Sequence, residues 1–342
     1  MKPIGFTPPP IEPLSYDQLA LIMKGGGVKG LAYVGALEIL QKYYQFDWFT
    51  GTSAVAIAAI LLGSEHSIME LNDILSHKKF SDFKDANFFQ RFLNLIFKGG
   101  LYKADSFVDW MDKILATKLD STTAVRLEDL PKRTTAFASR KDKSALIFDS
   151  IDTKSKTKYA SYAARCCMSI PFIFTPQSSE GLRVFDGGAQ NNFPVEGLLK
   201  FQPNTNFIGL YLRSETYKSE RKNIFGDLMS IWTESSDPDI LRKYKNKIVV
   251  IDPSPISTFK FTLSTEEKEF LLEAGRLGAL KFLGKRSDFN IEEYDYTKRK
   301  TQLEAIRIKL IKKRNNKILL LKILFILLIL ISFLYLILII KK

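Results

Sequence analysis

Ser53 lies in a segment of small residues that is typical of an exposed nucleophile. The segment Gly51-Thr52-Ser53-Ala54-Val55 is close to the pattern G-x-S-x-G, in which a strained turn between a strand and a helix exposes the serine hydroxyl. Val55 stands where that pattern has its second glycine, and we expect its branched side chain to crowd the helix against the strand. The segment is also compatible with a serine that only caps a helix N-terminus.

A glycine-rich loop precedes this segment and matches G-x-G-x-x-G, which is typical of a dinucleotide site, an anion cradle or a plain tight turn. The loop residues of interest are Gly25, Gly26, Gly27, Val28 and Gly30. Leu31 replaces the lysine that a P-loop requires. Asp47 lies at the beginning of the second predicted strand rather than at its end, which argues against a dinucleotide site. Free N–H groups at a helix start suit a transient anion, so we predict an oxyanion hole.

Asp186 is the candidate base. It follows an apolar pair and precedes Gly187 and Gly188, a sequence that is also compatible with an ordinary turn. The only histidines, His66 and His77, do not follow the acid in the order that a Ser-Asp-His triad needs on an α/β-hydrolase sheet. We therefore predict that Asp186 takes the Ser53 proton directly, provided that apolar burial raises its pKa.

Two consecutive strand-turn-helix units must position these residues. Residues 19–23 read as a strand before the glycine loop and residues 31–43 as a helix, while residues 46–50 and 54–62 repeat the order around Ser53. Consecutive β-turn-α units imply a parallel sheet. Residues 134–139 and 145–149 read as a hairpin, and further strands and one capped helix are predicted at 207–212, 247–251 and 264–282.

The segment from residue 80 to residue 110 is unusually aromatic, with charged residues at helix-like spacing. Two interpretations are open. The aromatic side chains either face the core of ordinary helices, or they form a lid or a membrane-contacting rim around an apolar site.

The positive charge of the chain is concentrated near its end. The net charge is +13, and residues 297–342 hold twelve Lys or Arg residues with one acid, Glu304, so +11 of the charge lies there. A basic chain suggests nucleic acid, but this charge flanks a nearly continuous run of Ile, Leu and Phe at residues 318–340. A membrane is the better interpretation, and we expect no nucleic-acid partner.

The apolar run predicts a C-terminal transmembrane helix. Residues 323–340 carry no charge and would rise about 27 Å as a helix, close to the thickness of a thin bilayer. Seven cations between residues 307 and 322 precede this uncharged stretch and two follow it, so the positive-inside bias predicts a single-pass tail anchor with the remainder of the chain facing the cytosol. The basic flank is expected to contact anionic lipid.

Four segments together resemble the patatin-like phospholipase family in order and spacing. They are the glycine loop, the Ser53 segment, residues 169–176 (SIPFIFTP), and Asp186-Gly187-Gly188 followed by Asn192-Phe193-Pro194. The resemblance covers residues 19–206 well and the stretch to residue 288 loosely.

The resemblance implies a three-layer α/β/α fold with a mixed, largely parallel sheet, and calcium-independent lipid acyl hydrolysis without a cofactor. By the same resemblance Ser53 is the nucleophile, Asp186 the base and residues 25–30 the oxyanion hole. The expected organisation is a proline-rich lead (1–18), a patatin-like domain (19–288), a basic linker (289–317) and the tail anchor (318–340). The expected partners are acyl lipid and an anionic membrane surface.

The position of Val55 keeps a second hypothesis open. A tail-anchored protein with an impaired site would bind lipid or a protein partner without turnover, whereas the main hypothesis is a phospholipase A or lysophospholipase.

Overall fold

The computed structural model describes residues 18–142, 145–213, 237–258 and 260–340, without the side chains of 237 and 330–340. The predicted proline-rich lead, apart from residue 18, lies outside the described residues. Ten strands are found in the described part: β1 (Leu19–Met23), β2 (Trp48–Thr52), β3 (Gly100–Tyr102), β4 (Arg133–Arg140), β5 (Ala145–Asp149), β6 (Phe172–Phe174), β7 (Gln177–Ser179), β8 (Leu182–Asp186), β9 (Asn206–Leu212) and β10 (Ile248–Ile251).

The α-helices of the described residues are α1 (Leu31–Leu40), α2 (Val55–Gly63), α3 (Ile68–His77), α4 (Phe88–Lys98), α5 (Asp105–Lys118), α6 (Ala160–Cys167), α7 (Val195–Phe201), α8 (Asp237–Lys243), α9 (Thr265–Leu283) and α10 (Tyr296–Ile340). They include those of the two predicted strand-turn-helix units, α1 and α2. The predicted capping box at the start of α9 is confirmed, since Ser264 and Glu267 exchange hydrogen bonds with each other's backbone N–H groups.

One mixed sheet organises the described chain, in the order β10-β9-β1-β2-β4-β8-β7, with β5 paired to the other side of β4. The pairs from β10 to β4 are parallel, while β4 pairs antiparallel with β5 and β8, and β7 with β8. The predicted hairpin and the strands at 207–212 and 247–251 are confirmed. A separate small sheet pairs β3 with β6 in parallel.

Alternating side chains of the central strand β1 bury both faces of the sheet. Leu19, Leu21 and Met23 belong to a core with α1, α2 and α9. Ala20 and Ile22 belong to a second core with Trp48, α7 and α8. A strand buried on both sides reads as a continuous apolar run, and the result is the predicted three-layer α/β/α arrangement.

The predicted transmembrane tail anchor, and with it the predicted membrane location facing the cytosol, is wrong. Within the described residues, no helix is long and apolar enough to cross a membrane. The first part of α10 is charged and is joined to α9 by the Arg299–Glu273 ion pair, at 2.7 Å.

Candidate active site

The register of the sheet brings Ser53 and Asp186 together. The last residue of β2, Thr52, pairs with Phe137 of β4, and the last residue of β8, Asp186, pairs with the next residue, Ala138. Because β5 occupies the other side of β4 over these positions, β2 and β8 approach along the same side from opposite directions. Ser53 therefore lies beside Asp186, although the two residues are 133 positions apart in the chain.

Ser53 occupies a strained turn between β2 and α2. Its φ is 60°, in the left-handed region that non-glycine residues rarely adopt. Gly51 permits the turn, because a Cβ at this position would lie 2.7 Å from the Val55 carbonyl oxygen and 2.9 Å from the Ala56 nitrogen. Ala54 then serves as the N-cap residue of α2. This geometry is that of a nucleophile elbow.

Both carboxylate oxygens of Asp186 accept hydrogen bonds. The Ser53 hydroxyl donates to Oδ2 at 2.7 Å, and the backbone N–H of Gly188 donates to Oδ1 at 2.7 Å. The Asp186 backbone N–H donates to the Ser169 carbonyl at 2.9 Å. Gly187 fits only as glycine, since a Cβ there would lie 2.1 Å from the Phe137 carbonyl oxygen. The hydrogen bonds to both oxygens therefore hold the Asp186 carboxylate in one orientation.

Burial raises the pKa of Asp186 to about 7, while the hydrogen bonds from Ser53 and Gly188 act in the opposite direction. The charged form is disfavoured because Asp186 is only 6% exposed. A carboxylate with this pKa is a far better base at neutral pH than an ordinary aspartate, whose pKa is near 3.9. The arrangement can therefore remove the proton of the Ser53 hydroxyl.

The glycine loop lies directly over Ser53. A Cβ on Gly25 would lie 3.0 Å from Ser53 Cβ and 2.2 Å from Asn192 Oδ1, so any side chain there collides. The Gly25 N–H is already donated to the Asn192 carbonyl, at 2.9 Å. The next residues begin the 3₁₀ turn of Gly27–Gly30 before α1, and the first N–H groups of a helix have no acceptor within it. Gly26, Gly27 and Val28 supply these groups.

The Val55 side chain contacts the glycine loop. The carbonyl oxygen of Val55, not its side chain, faces Gly51, and Cγ2 of Val55 lies 3.2 Å from the position of a Cβ on Gly30. The side chain is 2% exposed. The glycine at position 30 therefore makes room for a branched residue at position 55.

Asn192 is a site residue to which the sequence assigned no chemistry. Its amide Nδ2 donates to the Gly25 carbonyl at 3.2 Å, so the residue clamps the glycine loop from both its backbone and its side chain. The signal in the sequence was its position six residues after Asp186, but only the fold shows that it contacts the loop. Thr52 is tied to the same segment through its hydroxyl, 3.4 Å from the Asn191 carbonyl.

Arg165 is a second residue that the sequence did not single out. It is 1% exposed and donates to the carbonyls of Lys103 and Thr175 and to the Ser169 hydroxyl, at 2.7 to 3.0 Å. Burial lowers its pKa to about 10. Since Ser169 also accepts the Asp186 N–H, Arg165 supports the segment on which Asp186 rests.

The family model described as patatin-like phospholipase matches residues 21–199, just over half of the chain. The chain therefore belongs to the patatin-like phospholipase family, and it is a lipid acyl hydrolase with lipid as its substrate class. The match includes Ser53, Asp186 and the glycine loop.

Individual relatives extend the similarity beyond this region. The chain is 25% identical over 287 residues to the uncharacterized protein YqhO of Bacillus subtilis, covering 77% of this chain and 97% of that one. It is 28% identical to the uncharacterized protein R571 of Acanthamoeba polyphaga mimivirus, covering 79% and 94%. The crystal structure of VipD from Legionella pneumophila matches with a TM-score of 0.53 at 14% identity, over 88% of this chain and 77% of that one.

Proposed function

We propose that the protein cleaves fatty acyl esters of phospholipid or lysophospholipid through a Ser53–Asp186 dyad and an acyl-enzyme, without a metal ion. The observation that carries this proposal is the 2.7 Å hydrogen bond from the Ser53 hydroxyl to a buried carboxylate whose pKa is raised to about 7.

Acylation proceeds as Asp186 Oδ2 accepts the hydroxyl proton and Ser53 Oγ attacks the ester carbonyl carbon. The N–H groups of Gly26, Gly27 and Val28 stabilise the oxyanion of the tetrahedral intermediate. When the intermediate collapses, the bond to the glycerol oxygen breaks and that oxygen takes the proton from Asp186.

Deacylation uses the same base. Asp186 accepts a proton from water as the water oxygen attacks the acyl carbon, and the proton returns to Ser53 Oγ as the fatty acid leaves. The raised pKa of Asp186 supports both steps, because the group must gain and lose a proton near neutral pH.

A fluorophosphonate probe tests the nucleophile directly, because it phosphonylates an activated serine and displaces fluoride. We expect wild-type protein to be labelled in the presence of a chelator, with the adduct on the peptide that contains Ser53. Ser53→Ala should abolish labelling, and Asp186→Asn should slow it by about 10²-fold or more.

Matched Ser64→Ala protein is the control, since Ser64 is fully buried and its hydroxyl bonds to the Leu61 carbonyl away from the dyad. Folded wild-type protein that takes up no probe would instead favour a site that binds lipid without turnover.

A further inference from the structure

Helix α4 exposes its apolar side chains and buries a polar one. Among the residues described, Asn94 is the buried residue of this helix, whereas Phe88 is 86% exposed and Phe92 is 58% exposed. The exposed apolar face of α4, with the neighbouring Phe172, consists of Phe88, Phe89, Phe92, Leu95, Ile96, Phe97 and Phe172; we call it the aromatic face. A contiguous apolar surface of this kind marks an interaction site.

The outward orientation of α4 is built into its contacts. Asn87 and Gln90 form a capping box at its start, with hydrogen bonds of 2.9 and 3.0 Å. Asn94 Nδ2 donates to the Leu101 carbonyl at 3.3 Å, which ties the polar side of the helix to β3. Gly99, at φ 75°, ends the helix. These contacts hold the aromatic face away from the body of the protein.

The charge around the aromatic face complements an anionic surface. Residues 84–103 contain four cations and one acid, Asp85, and that carboxylate accepts the backbone N–H groups of Lys103 and Asp105. Cations beside an amphipathic helix rich in Phe are typical of a helix that lies in the headgroup region of a membrane. A second copy fits less well, because a two-fold contact would bring two such basic segments together.

The aromatic face is continuous with the segment that supports the base. Phe172, 59% exposed, donates its backbone N–H to the Gly99 carbonyl at the end of α4. Three residues earlier, the Ser169 carbonyl accepts the Asp186 N–H. Backbone hydrogen bonds therefore link the aromatic face to the segment on which Asp186 rests.

We propose that the aromatic face inserts into the surface of an anionic phospholipid membrane and orients the Ser53–Asp186 site toward lipid ester bonds. The proposal concerns the same site and rests on the proposed function. It assigns a docking role to α4, a helix that contributes no residue to the dyad or the glycine loop.

An environment-sensitive fluorophore on α4 tests the proposal without turnover. Both native cysteines are fully buried, and burial raises the pKa of the Cys166 thiol to about 12, so neither is expected to react. Phe92→Cys in a full-length Ser53→Ala background therefore accepts an NBD label at one position. The matched control is Ile151→Cys, because the Ile151 side chain is also well exposed, at 59%. It follows Ser150, whose backbone N–H donates to the Thr134 carbonyl near the start of β4, at the end of the sheet opposite Ser53.

With vesicles of phosphatidylcholine and phosphatidylserine, we expect NBD fluorescence at position 92 to rise roughly threefold or more with a blue shift. Quenching by doxyl-labelled acyl chains should accompany the rise, and both effects should weaken without phosphatidylserine or at high salt. The control at position 151 should not change.

Three results would overturn the proposal. They are an unchanged signal at position 92, an equal rise at both positions, or a high signal at position 92 before lipid is added, as expected if a second copy covers the face. Hydrolysis of a monomeric ester is a separate measurement, made on wild-type protein and on Phe92→Cys protein that retains Ser53. If wild-type protein does not hydrolyse the ester, the result counts against the proposed function and leaves the docking result unaffected.

Discussion

The carboxyl of Asp186 can accept a proton from Ser53 only when it is ionised. Burial raises its pKa to about 7, so the ionised fraction grows as pH rises through neutrality. We predict that kcat/KM for a monomeric ester increases with pH and reaches half its maximum near pH 7, because this profile reports the base in the free enzyme. A half-maximum near pH 4, measured over the same range, would show that the base ionises as an ordinary carboxylate.

Val55 gives a second prediction at the residue scale. The sequence suggested that it crowds the elbow, whereas its buried side chain contacts the region of Gly30. Val55→Gly should therefore reduce the free energy of unfolding by about 2 kcal/mol through lost burial and should not raise kcat. Urea unfolding and ester hydrolysis measure the two effects, with Ala54→Gly as the neighbouring control. A several-fold rise in kcat at unchanged stability would restore the crowding hypothesis.

The segments that bear the site could be predicted element by element. The glycine loop and the Ser53 turn follow recognisable strand-turn-helix patterns, because local turn chemistry sets them. Their meeting with Asp186 depends on antiparallel pairing of β8 with β4 at Ala138, and no local pattern encodes a register between distant strands. The clamp by Asn192 was not foreseeable for the same reason.

The buried side chain of Arg165 joins several elements near the base. Arg165→Met would leave the carbonyls of Lys103 and Thr175 without these donors, and unsatisfied buried acceptors are costly. We expect the free energy of unfolding to fall by about 3 kcal/mol, measured by urea titration. Arg183→Met, at an exposed position of β8, should cost less than about 0.5 kcal/mol. Equal effects of the two substitutions would contradict the supporting role of Arg165.

At the scale of the whole molecule, a helix beyond the family match supports the site. Helix α9 packs on α1, which follows the glycine loop, and both helices approach closely at glycine. A Cβ on Gly275 would lie 1.8 Å from the Ala32 carbonyl oxygen, and one on Gly35 would lie 1.9 Å from the Leu272 carbonyl oxygen. The two backbones are therefore in direct contact.

Gly275→Ala should force α9 away from α1. The expected cost is about 1–3 kcal/mol of unfolding free energy, even though alanine is the better helix former by about 1 kcal/mol. Gly284→Ala is the matched control, because the nearest atoms to a Cβ there would be in the side chain of Ile291, at 3.1 Å, and the Leu280 carbonyl oxygen, at 3.3 Å. Equal thermal stability of the two variants would show that the helices separate without cost.

The C-terminal prediction rested on an uncharged apolar run and its basic flank, and it took no account of how the preceding part of the same helix packs. The run of Ile, Leu and Phe extends a helix whose earlier residues, including the buried Leu303 and Leu310, pack against the rest of the protein.

Release of fatty acid from phospholipid vesicles in the presence of a chelator tests the central claim most directly. Wild-type protein should release fatty acid, and both Ser53→Ala and Asp186→Asn should reduce the rate by about 10³-fold or more while remaining folded. Release by either variant within about tenfold of the wild-type rate, or a wild-type rate abolished by the chelator, would contradict a metal-independent Ser53–Asp186 dyad.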